Sequence, residues 1–300
     1  MLYLHSYTLM ARTKAKHRFL DFLAKNDFSS NLQQFGPIST FGWPDEGSEV
    51  CAQVDMLADR AVRLSLACSL AYLSPDAARS SEYAQRLSGS LQYAETVTVD
   101  ELCASATILE GPDEGVVVAF RGSTAFRNYQ SMFDLRFVPS ELEAGGSGGK
   151  VHRGYQEASL RLYSKLAPVL ADKSPERTVF VGHSYGGGTA TMCALMHAAT
   201  APDLELVTFA GPRVGDRSFV RRFDSVLGAS TTHIVHDLDP VLAQNQPLWS
   251  FLGFEHTGQI VRCSATEPRL LRDDEERGGL PLNFADHALY LGTFMGPRMR

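Results

Sequence analysis

The sequence predicts an α/β fold, with a mostly parallel central sheet covered by helices on both faces. Three observations predict it. From Val116 onward, short β-branched runs alternate with stretches of helical spacing, the pattern of strands joined by crossover helices. Gly182-His183-Ser184-Tyr185-Gly186 falls between one such run and an alanine-rich helix. The composition, 44% hydrophobic and 21% charged over 300 residues, suits a single large buried core.

Taken in order, residues 1–50 read as an N-terminal arm. Arg12, Lys14, Lys16 and Arg18 precede an apolar pattern at Phe19, Leu20, Phe22 and Leu23, the solvated face of a docking helix. Residues 51–300 read as one α/β domain. Val54, Leu57, Ala61, Leu64, Cys68 and Tyr72 recur at helical spacing until Ser74-Pro75. Val116 to Phe120 is a buried strand, and Tyr155, Ala158, Leu162, Leu166 and Val169 mark an amphipathic helix. Thr178 to Val181 is the central strand, Tyr185 to Ala199 a helix, and Leu204 to Phe209 another strand. Asp216 opens a helix carrying Phe219, Phe223 and Leu227, and His233 to Val235 gives a further strand. Asp273 to Glu276 reads as a solvated acidic loop.

Several classes of function are disfavoured. A net charge of −6 gives no field for holding a phosphate backbone, so no nucleic-acid partner is expected. The five cysteines are scattered, without CxxC pairs or zinc-ligand spacing, and read as free thiols; no metal or other cofactor is expected. No apolar run reaches the roughly 18 residues of a membrane-spanning helix. Met1 to Met10 lacks the charge and the cleavage signal of a secretory leader. A soluble, cytoplasmic protein is the expectation, with secretion left open.

The strand-turn-helix setting makes Ser184 the candidate nucleophile of an α/β-hydrolase. The sharp turn needs glycines where chains approach closely, and the helix N-terminus favours a developing anion. A serine hydroxyl needs a base, and the base needs an acid that fixes its tautomer; in this fold the chain order is Ser, acid, His. His287 comes late enough to be the base, His197 reads as structural, and Asp237 and Asp239 both follow the strand ending at Val235.

The chain resembles the class 3, or fungal-type, lipases. The resemblance rests on Phe120-Arg121-Gly122-Ser123, on Val151 to Tyr155, on Gly182 to Gly187, on Thr208 to Asp216, on Val235 to Val241 and on Asp286 to Tyr290, in that order. It covers the last two-thirds of the chain and leaves residues 1–50 outside. It implies Ser184 as nucleophile, Asp239 as acid with Asp237 the alternative, and His287 as base with His256 the alternative. Leu242 stands where the family has Pro. The oxyanion donors would be Ser123, through its main-chain N–H and hydroxyl, and the N–H of Tyr185, with Asp134 steadying Ser123. Ala125 to Phe133 matches the family's lid, placed near residues 125–134, with Phe126, Tyr129, Met132 and Phe133 on one apolar face; a fixed core helix would show the same stripe.

The implied function is hydrolysis of acylglycerol esters through an acyl-enzyme on Ser184, the partner being a lipid or ester at a lipid-water interface. Phospholipase A1 activity, an esterase for short or aromatic acyl groups, and a non-catalytic lipase-like binding module are the alternatives.

Overall fold

The chain divides into two units, Met1–Gly42 with Met299–Arg300, and Trp43–Arg298. The computed structural model describes residues 49–124, 136–142, 148–201, 203–236, 239, 253–263, 270–271 and 286–296, all within the second unit. Most of the arm expected at residues 1–50, the lid residues Phe126 and Tyr129, and Asp134, Asp237 and the acidic loop at 273–276 lie outside the described residues.

Three helices come first: α1 (Glu49–Leu70), α2 (Pro75–Ser80) and α3 (Glu82–Leu87). Helix α1 ends before the Tyr72 that its apolar spacing includes. The chain tightens there into i to i−3 bonds, Tyr72 N–H to Ser69 O (3.2 Å) and Leu73 N–H to Leu70 O (3.0 Å). Ser74 and Ser81 cap α2 and α3 with their hydroxyls.

Eight strands form the main sheet in the order β1 (Gln92–Val99), β2 (Ala104–Gly111), β3 (Gly115–Phe120), β6 (Thr178–His183), β7 (Leu204–Phe209), β8 (Thr231–Val235), β9 (Gln259–Cys263) and β10 (Leu270–Leu271). The run from β3 to β9 is parallel throughout, and antiparallel strands flank it at both edges. Between β3 and β6 come a small antiparallel pair, β4 (Phe137–Pro139) with β5 (Lys150–His152), and the crossover helix α4 (Arg153–Lys173). Helix α5 (Tyr185–His197) follows β6, and α6 (Arg217–Leu227), capped by the Asp216 carboxylate, follows β7. A hairpin of β11 (Leu289–Tyr290) and β12 (Thr293–Phe294) ends the described chain.

Strand periodicity sorts the core into two layers. Val116, Val118, Phe120 and Phe180 face α4, α5 and α6, whereas Val117, Ala119, Val179 and Val181 face α1, α2 and α3. Phe120 and Phe180 meet edge to face at 5.2 Å, both fully buried, each contributing about 1.5–3 kcal/mol of burial. On β3 and β6 the residues are thus apolar toward both layers, which is why these runs are continuous rather than alternating.

Candidate active site

The site assembles where the parallel strands end at their carboxyl termini. Strand β6 runs into Ser184, which adopts φ 55° and ψ −124° and leads directly into α5. A β-carbon on Gly186 would overlap the carbonyl of Phe120, and one on Gly182 the backbone of Gly186 and Gly187, so the elbow closes only with glycine at both positions. The Ser184 N–H bonds to Phe209 O (2.9 Å), and Gly187 N–H to Ser184 O (2.8 Å), which fixes the turn between β6, β7 and α5.

Asp239 and His287 arrive from different parts of the chain. Asp239 follows β8 through a turn in which its N–H bonds to His236 O (3.1 Å), and it is fully buried. His287 sits in a 3₁₀ turn, Asp286–Ala288, ahead of the β11–β12 hairpin. Its Nε2 lies 2.8 Å from Ser184 Oγ, and its Nδ1 lies 3.0 and 2.9 Å from the two carboxylate oxygens of Asp239. A carboxylate only accepts, so Nδ1 carries the proton and Nε2 is left to accept from the serine hydroxyl. Tyr290 Oη donates a further 2.5 Å bond to Asp239 Oδ2. Burial first, and then the Asp239 charge, push the Tyr290 hydroxyl well above the usual tyrosine range, so it remains a donor.

Ser123 follows β3, whose end pairs Phe120 with Gly182. It is buried, and its Oγ has no hydrogen-bond partner among the described residues. A buried hydroxyl left open in this way is a donor available to an incoming group. The preceding Gly122 leaves no room for a β-carbon, which would overlap Tyr72 Oη and crowd the His183 carbonyl. Tyr185 is the first residue of α5, so its N–H points out of the helix N-terminus beside Ser184; its ring is buried 5.2 Å from that of Tyr155.

His183, the residue before the nucleophile, is buried and doubly bonded. Its Nε2 lies 2.8 Å from the main-chain carbonyl of His287 and its Nδ1 lies 2.7 Å from Tyr72 Oη. Burial, helped by the proximity of His287, pulls its pKa down to about 3. Neutral, with its proton held on Nε2 by a carbonyl that only accepts, it must take the Tyr72 proton on Nδ1.

His256, His197 and His152 lie apart from this chain of bonds, whereas the His236 ring packs 4.6 Å from that of Tyr290 and its carbonyl accepts from the Asp239 N–H. His256, the alternative base, packs 5.5 Å from His233, and its Nδ1 has no partner among the described residues. Burial, with help from His233 and Arg213, holds it well below the usual histidine range. His197 stacks on Phe180 at 5.3 Å and 9°, and its Nδ1 meets Tyr163 Oη at 3.1 Å, a packing role. His152 caps α4. Tyr72 and His183 carry no role in the sequence reading. Tyr72 already fits the apolar stripe of α1, and 111 positions separate the two, so no local pattern links them.

Among the described residues, no group of three or more His, Cys, Asp or Glu side chains could hold a metal ion, and no helix is long and apolar enough to cross a membrane.

A parallel sheet with a sharp serine turn after a central strand and a carboxylate after a later one is the arrangement of the α/β-hydrolase fold. The same fold occurs in lipase II from Rhizopus niveus, with TM-score 0.67 and 20% identity over 81% of this chain and 97% of that one. Residues 117–244 match the lipase (class 3) family. A lipase of Rhizomucor miehei is 31% identical over 178 residues, 56% of this chain and 47% of that protein. Secreted mono- and diacylglycerol lipase 1 of Fusarium solani is 32% identical over 146 residues, 47% of this chain and 42% of its own. The chain thus spans about half the length of these relatives. That one of them is named as secreted does not favour the cytoplasmic expectation.

Proposed function

We propose that the protein is a serine carboxylic-ester hydrolase acting on acylglycerol esters. One observation carries the reading: a single line of hydrogen bonds runs from Ser184 Oγ through His287 to Asp239, with 2.8 Å at the serine and 2.9 Å at the acid. In this reading His287 Nε2 takes the Ser184 proton as Oγ attacks the ester carbonyl. Asp239 keeps the imidazole in the right tautomer and stabilises the imidazolium. Ser123 and the N–H of Tyr185 hold the oxyanion, each donor lowering the barrier by a few kcal/mol. Collapse of the intermediate expels the alcohol, which takes the proton back from His287. Water, deprotonated by the same imidazole, then releases the carboxylic acid. The name of the Fusarium solani relative supports acylglycerols as the substrate class.

The test is hydrolysis of p-nitrophenyl esters of increasing acyl length, with and without an emulsified interface, by the wild type and by Ser184→Ala. We expect turnover to rise with chain length and to fall about 10⁵-fold in Ser184→Ala. Activity retained by Ser184→Ala would sink the reading.

A further inference from the structure

We propose that Tyr72 and His183 are positioning residues that hold the main chain of His287, and through it the imidazole, against Ser184. The inference rests on the esterase reading for its kinetic test. The bonds themselves are independent of that reading.

The segment that carries His287 needs such an anchor. It belongs to a two-stranded sheet of its own, β11–β12, so the ladder of the main sheet does not hold it. Its far end is fastened to the helical layer, where Ser69 Oγ (2.8 Å) and Tyr83 Oη (3.3 Å) donate to Phe294 O. Within the 3₁₀ turn, the His287 carbonyl accepts from His183 Nε2 at 2.8 Å, which ties the turn to the residue beside the nucleophile.

Packing alone does not account for histidine at this position. The ring is buried and its centroid lies 5.0 Å from that of His287, a contact that an aromatic hydrocarbon would make at lower desolvation cost. What the imidazole adds is a donor on one edge and an acceptor on the other. Tyr72 Oη, 2.7 Å from Nδ1, fixes which edge donates. Without that hydroxyl the ring could place its proton on Nδ1 and present a lone pair to the carbonyl, which repels it. Tyr72 also fills the space that Gly122 leaves open, so one side chain touches both the loop before Ser123 and the holder of the base.

Four variants test this: Tyr72→Phe, His183→Phe, His183→Gln and the double variant Tyr72→Phe/His183→Gln. Glutamine can place an amide N–H where Nε2–H stands and has no ring tautomer to fix. Active sites are counted with a p-nitrophenyl phosphonate, kcat and KM are measured per titrated site, and the downfield proton resonance of His287 Nδ1–H is followed by NMR. We expect Tyr72→Phe to lower kcat about threefold to tenfold and His183→Phe about tenfold to a hundredfold, with KM little changed. His183→Gln should restore kcat to within about threefold of wild type, and the double variant should be no worse than His183→Gln alone. The resonance should persist in His183→Gln and broaden in His183→Phe. Wild-type kcat per site in both phenylalanine variants, or a double variant in which the losses add, would overturn the proposal. A wild type that neither turns over esters nor takes up the phosphonate, while the resonance still depends on His183, would count against the esterase reading and leave the anchor standing.

Discussion

The two ends of the parallel strands both bury polar side chains, but they do so with opposite chemistry. At the amino end the groups are ions. Arg60 bonds to Glu114 (2.7 Å) and to Glu205 (2.7 Å), and Arg177 bonds to Glu205 (2.9 Å). Burial works against the Arg60 charge, and its bonds to Glu114 and Glu205 more than offset that, so the guanidinium is held charged. At the carboxyl end, His183 is neutral, Ser123 Oγ is unpartnered among the described residues, and the buried Asp239 carboxylate faces His287. At the amino end Arg60, Glu114 and Glu205 are matched to one another where they stand. In the proposed reading the carboxyl end keeps capacity for a charge that arises only during reaction, as a site does and a fastening does not.

The sharpest way to break this contrast is Asp239→Asn. An asparagine amide can donate to His287 Nδ1, which favours the tautomer whose Nε2 proton points at the serine, and the base is lost while the shape stays. We expect kcat on p-nitrophenyl butyrate to fall about 10⁴-fold with the thermal midpoint nearly unmoved. A fall of less than about tenfold would mean that the carboxyl end is only a structural network like the other.

The amino end should answer in the other currency. Arg60→Met leaves Glu114, 5% exposed at its side chain, with Arg63 at 3.7 Å as its nearest remaining cation. We expect a stability loss of about 3 kcal/mol by urea unfolding, with kcat within about twofold of wild type. A large drop in kcat at unchanged stability would show the two ends to be coupled through the sheet.

How much of this could be read from the sequence follows from what is local. Val116 to Phe120, Thr178 to Val181 and Leu204 to Phe209 announce themselves because a strand buried on both faces must be apolar throughout. The edge strand Gln92–Val99 mixes Gln, Glu and Thr with Tyr and Val, as a half-exposed strand does, and so shows no continuous apolar run. Ser184 was legible because strand, turn and helix lie in one window. Asp239 and His287 stand 48 residues apart, and His287 103 from the serine, so they emerged from the order of blocks rather than from any spacing. The Tyr72–His183 contact could not emerge at all, since each residue already had a sufficient local explanation.

Acid sharpens the contrast in a graded way. Two buried histidines at the carboxyl end of the sheet or along β8 lie below the usual value of 6.5: His183, at about 3, and His233, at about 4, both chiefly through burial. Their folded values are depressed, so between pH 6.5 and about 4 the unfolded chain binds protons that the folded chain refuses. Stability is therefore full above pH 6.5 and falls as the pH drops, by about 1.4 kcal/mol per pH unit for each histidine. At the amino end, burial opposes the Glu114 charge, but the bonds from Arg60 win and lower its pKa below 4.5, so its contribution is lost only as the pH falls below that. Urea unfolding across this range should show a slope that His183→Gln reduces by about 1.4 kcal/mol per pH unit above pH 4.5, while Glu114→Gln leaves it unchanged there. A slope that Glu114→Gln reduces and His183→Gln does not would reverse the assignment, placing the acid-sensitive end of the sheet at the ion cluster.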